Sequence, residues 1–134
     1  MYEFLLHAHS GWRYLVCLVA AIALLKMLIG YAAKRSWGAW DKRLLLFYTI
    51  ALDVQFLLGI ALYIVIGRQG GGIHPPALVG EHAATMVVAI ILAHVGKVAA
   101  TKAKSNKSHF ARGLLFTFAS LVMIGFGIWR ITHG

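Results

Sequence analysis

The 134-residue chain is predicted to be all-α, an integral membrane four-helix antiparallel bundle forming a single transmembrane domain over residues 1–134. Three observations predict it. Four apolar stretches each reach the roughly 20 residues that a helix needs to cross a bilayer core of about 30 Å. The composition is 60% hydrophobic and only 13% charged, with a mean hydropathy of +0.78, values a soluble domain rarely reaches. The connections are too short for anything but neighbouring antiparallel helices.

The spans are expected at 11–33, 44–66, 77–100 and 110–131. None shows the polar face that a helix at the edge of a soluble core requires. The first can begin nearer Tyr2, since Tyr2, Phe4, Leu5 and Leu6 extend its apolar character outward. It is read as a retained anchor: Met1-Tyr2-Glu3 is no basic leader and no small-residue cleavage site follows. The second span ends where Gly70-Gly71-Gly72 and Pro75-Pro76 forbid a continuing helix, so 67–76 is the second loop. Gly30, Gly59, Gly96, Gly113, Gly125 and Gly127 lie in or at the ends of spans, where small residues let helix backbones approach. Cys17 is the only cysteine, so neither an intrachain disulfide nor a thiolate metal site is indicated.

The basic residues set the orientation. Lys34, Arg35, Lys42 and Arg43 flank the first loop, and Lys97, Lys102, Lys104, Lys107 and Arg112 flank the third. The other side carries only Arg13, Arg68 and Arg130. Positive-inside logic places loops one and three in the cytoplasm and both termini outside, in a multi-pass arrangement. The net charge of +9 is then a cytoplasmic collar attracted to anionic headgroups. Nucleic acid is not an expected partner, because these charges flank spans and lack interleaved stacking aromatics. Trp12, Tyr14, Trp37, Trp40, Tyr63 and Trp129 fall near the interfaces and read as belt residues. Lys26 can snorkel toward the cytoplasmic side.

The histidines carry the functional signal. His7, His9, His74, His82 and His133 fall at the outer end, His94 lies inside the third span, and only His109 belongs to the cytoplasmic rim. His82, preceded by Glu81, sits about a turn inside the membrane, where ionisable groups are costly without partners. A b-type haem takes two axial nitrogens from opposite faces, which needs one inward histidine on each of two helices at similar depth. His9 and His82 meet that requirement. His7 competes with His9, but at about 200° of separation on a helix the two cannot both face the centre. Arg13, four residues beyond His9, lies near the same face and can pair with a propionate.

His94 is 12 residues from His82, about 18 Å along a helix, a spacing that suits a second haem. No other span offers a facing histidine, leaving Met27 as an odd ligand, whereas Asp53 lies at a depth from which it reaches His94. A buried Asp53–His94 pair, as a structural link, proton relay or part of a transport path, is the expected alternative. Two other classes use the same residues. His7, His9, His82, Glu81 and Glu3 suit zinc or copper, although no tight ligand motif is present. An accessory subunit of a larger redox or photosynthetic complex needs no chemistry of its own. No nucleophile–base arrangement and no nucleotide loop are present, so hydrolase or ATP-driven activity is unsupported.

The runs from Leu5 through His7, His9 and Trp12 to Tyr14, from Asp53 through Gln55 to Gly59, and from Gly80-Glu81-His82 through Met86 to His94-Val95-Gly96-Lys97 resemble a family of small bacterial four-span proteins labelled cytochrome b-like, similar to b561-type bundles. The resemblance covers most of the chain. It implies histidine-ligated haem b and one-electron transfer near the outer face with a quinol or a partner redox protein. His9 or His7, His82 and His94 occupy the motif positions. The chain lacks the two histidine pairs of a two-haem bundle, so one haem rather than two is expected.

Overall fold

A computed structural model describes residues 1–133. Helices α1 (Tyr2–Ala32), α2 (Ala39–Arg68), α3 (Pro76–Thr101) and α4 (Asn106–His133) account for nearly all of them. All four are long and apolar enough to cross a membrane. The chain is thus a multi-pass membrane protein built as an all-α bundle.

Each helix outruns the apolar stretch that announced it, because polar residues at the ends continue the helix. At the start of α2, the Asp41 carboxylate accepts the Gly38 N–H at 2.8 Å, satisfying a donor the helix leaves free. Helix α2 ends at Arg68 and is followed by Gly70 and Gly71, whose φ angles of 91° and 123° lie in the left-handed region open to glycine. The Gly71 N–H there returns to the Ile66 carbonyl at 2.9 Å. Pro76 then opens α3 in the first turn, where a missing N–H costs no intrahelical bond.

The helices pack in a ring: α1 against α2 and α4, and α3 most extensively against α4 and least against α2. Helices α1 and α3 therefore face each other across a diagonal. One end of the bundle carries the first and third loops, and the other carries both termini and the second loop.

The interior is filled by small residues and a few large ones. Ala20, Ala51, Ala89 and Ala93 pack with Val16, Tyr48, Leu52 and Ile124 around mid-bundle, and Met27, Leu45, Ala100 and Phe110 fill the end with loops one and three. Gly30 admits Phe110: a Cβ there would overlap the phenyl ring. Large apolar side chains such as Leu18, Leu25, Leu57, Ile91 and Phe118 point outward. That arrangement suits lipid, where a water-soluble surface would be an aggregation site.

The buried polar side chains at mid-bundle, Tyr48 and Ser120, are paired, as a low-dielectric interior demands. Ser120 Oγ donates to the Ala89 carbonyl at 2.7 Å, so the Tyr48 hydroxyl, 2.8 Å away, donates its own proton to Ser120. Trp12, expected as a belt residue, instead packs against the core and donates Nε1–H to the Ala51 carbonyl at 2.8 Å. Trp37 likewise turns inward, stacking on His109 with ring centres 4.9 Å apart and meeting Phe110 edge-on. Lys26 reaches the end expected of it but stops at buried Asp41, 2.8 Å away. Cys17 is exposed on the lipid-facing side.

Candidate functional site

His9 and His82 meet at the end that carries the termini. Seven residues into α1 and six into α3, they lie at matched depths of about 10 Å along their helices. The bundle sets them across its α1–α3 diagonal with ring centres 6.3 Å apart and planes at 84°.

Each ring is held by backbone from a different neighbour. His82 Nδ1 lies 3.2 Å from the Gly127 carbonyl of α4. A carbonyl only accepts, so Nδ1 carries the proton and Nε2 of the neutral ring keeps its lone pair. Beside it, Arg130 donates Nε–H and Nη2–H to the two oxygens of Glu81, both at 2.9 Å, tying α4 to the turn of α3 that bears His82. On the other side, Gln55 Nε2 donates to the His9 carbonyl at 2.8 Å. Gly59 of α2 makes room for the His9 ring, since a Cβ there would stand 3.2 Å from its Cε1. His9 Nδ1 and Gln55 Oε1 are buried without hydrogen-bond partners. Unpaired buried groups of this kind cost about 1–3 kcal/mol each, which marks a place where an outside partner has something to satisfy.

The other expected residues do not join this pair. His7 is exposed. Arg13 donates to the Tyr14 hydroxyl at 3.2 Å and lies over that ring. His133 stacks on Trp129. His94 Nε2 is 2.9 Å from Asp53 Oδ1, but the pair is not buried: both side chains are 47% exposed at the loosely packed α2–α3 seam. Met27, fully buried in the core at the opposite end, is packed among apolar side chains and is not part of that pair. Among the described residues no three or more His, Cys, Asp or Glu side chains gather as a metal-holding group. The zinc or copper reading of His7, His9, His82, Glu81 and Glu3 thus lacks a converged ligand set.

No family model, curated protein or solved structure matches the chain. What the site can hold is set by its own donors. Two imidazoles that share one metal ion each stand off by a bond of about 2 Å, plus the short distance from nitrogen to ring centre, or about 6 Å centre to centre. The His9–His82 separation fits that, and the donor set of two neutral imidazoles is what a six-coordinate b-type haem iron takes from a protein.

Four contributors were not visible in the sequence as site residues: Gln55, Gly59, Gly127 and Arg130. Arg130 had a signal, since Glu81 and Arg130 are opposite charges assigned to the same end of the bundle. Gln55 had one too, as a polar amide inside a span, though its acceptor is a backbone carbonyl; Gly127 and Gly59 act through a backbone carbonyl and a missing Cβ, which leave no chemical mark on a sequence.

Proposed function

We propose that this chain is a b-type haem protein of the bacterial inner membrane that exchanges single electrons near the outer face, with both termini on that side. The observation that carries the reading is the His9–His82 pair, 6.3 Å between ring centres across the diagonal of the bundle. Bound there, a haem would supply a one-electron couple.

The chain's own residues supply the rest. The Gly127 carbonyl fixes the His82 tautomer that leaves Nε2 free to ligate, and it orients the ring. The Glu81–Arg130 fork and the Gln55 bond to the His9 backbone hold the two ring-bearing turns against movement. Leu5 and Leu78, buried about a turn nearer that end than the two histidines, cover them from the outer side. Arg13, which forms no ion pair among the described residues, is the cation one turn from His9 suited to a propionate. Asp53 already engages Nε2 of His94, which favours one haem over two. The electron partner is a quinol in the bilayer or a redox protein, alone or as part of a larger complex.

The ligand pair is tested by His82→Ala. The variant is expected to insert into the membrane at the wild-type level and to be purified without haem. Full haem occupancy in it would overturn the assignment.

A further inference from the structure

The end of the bundle opposite the histidine pair holds a second feature. Lys42 of α2 and Lys97 and Lys102 at the end of α3 line, with Val98 and Thr101, a pocket of about 180 Å³. No carboxylate neutralises them. Among the described residues the ion pairs are Lys26–Asp41, His94–Asp53 and Arg130–Glu81, and the remaining acid, Glu3, lies at the other end.

Nor do the lysines serve to cap α3. Three of its last four carbonyls already have other donors: Arg112 donates to Ala99 at 3.0 Å, His109 Nδ1 donates to Ala100, and the Lys102 N–H returns to Val98 at 3.0 Å. The Thr101 hydroxyl is buried with no partner. Toward the bilayer middle, an apolar groove of about 370 Å³ runs along His94, Val95, Val98 and Ala99. Val98 lines both, so the basic pocket and the groove adjoin along α3.

We propose that this pocket and groove bind one anionic phospholipid. Its phosphate would lie among Lys42, Lys97 and Lys102, with the Thr101 hydroxyl as a further donor, and an acyl chain would follow Val95, Val98 and Ala99. Ammonium groups serve phosphate as mobile point charges, and basic pockets between spans are where anionic headgroups dock. A free phosphate accounts for the lysines but not the groove. A neutral lipid accounts for the groove but not the uncompensated charge. The site does not depend on the haem reading.

Native mass spectrometry of the full chain in detergent tests it, with phosphatidylglycerol, phosphatidylcholine of the same chains, and inorganic phosphate as probes. One phosphatidylglycerol is expected to bind per chain, at least tenfold tighter than phosphatidylcholine or phosphate. Lys102 is exposed, so Lys102→Gln leaves the packing intact and should weaken binding about fivefold, and Lys97→Gln with Lys102→Gln about tenfold or more. Val98→Trp, filling the groove, should also weaken it. Lys104→Gln with Lys107→Gln, in the same collar but outside the pocket, should leave it unchanged. Equal affinity for the two lipids, equal loss in the Lys104/Lys107 variant, or phosphate binding as tightly as the lipid would overturn the proposal.

Discussion

Ser120 has no exposed surface, and it spends its single proton on the Ala89 carbonyl while receiving the proton of Tyr48. Ser120→Ala removes both bonds and leaves a buried phenol unpaired, so a loss of about 1–3 kcal/mol is expected in thermal unfolding of the detergent-solubilised protein. Gly59 acts differently, through what it lacks. A Cβ at that position would touch the His9 ring at 3.2 Å, and the two further methyl groups of a valine demand more space still. Gly59→Val is therefore expected to lower haem retention while membrane insertion stays at the wild-type level, measured as haem per purified chain. Wild-type haem content would show that the ring position is not set by this contact. Residue chemistry was legible where it resides in a side chain: His9, His82, Asp53 and His94 stand out in an apolar chain because ionisable groups are rare there. Gly59 and Gly127 were legible only as small residues. Which ring or carbonyl each serves depends on helix rotation, which a run of apolar residues on every face leaves undetermined.

At the scale of elements, the apolar stretches foretold the number, order and antiparallel packing of the helices, because bilayer thickness dictates their length. Their ends were foretold less well. Asp41 and Asn106 look like loop residues by hydropathy, yet Asp41 holds the first turn of α2, and Asn106 begins α4 while its Oδ1 accepts the Trp37 N–H at 2.9 Å. The α2–α3 seam shows the same limit. Helix rise puts Asp53 and His94 within reach of each other, but the pair sits half-exposed at the outer edge, since α2 and α3 pack least closely. With lipid rather than water outside, the two side chains satisfy one another. A double-mutant cycle of Asp53→Asn and His94→Gln is expected to show a coupling of about 0.5–3 kcal/mol in thermal stability. Strict additivity would mean that the contact contributes nothing.

Across the whole molecule the two ends differ in kind. The end with the first and third loops is basic, closed by Lys26–Asp41 and by the stack of Trp37 on His109. The other end carries the facing histidines, with Glu81–Arg130 beside them. The polarity of charge was readable from Lys and Arg positions alone, and the clustering of histidines at one end followed from the same topology. The diagonal meeting of α1 and α3 was not readable, because it depends on the ring order of the helices and on side chains brought together from positions 73 residues apart. The proposal that this meeting point holds a haem is open to direct measurement. Its most direct test is a pyridine haemochrome count, with a reduced-minus-oxidised spectrum, on protein expressed with ample haem and purified in detergent. One low-spin b-type haem per chain is the expected result, whereas a haem-free protein, or one carrying two, would contradict it.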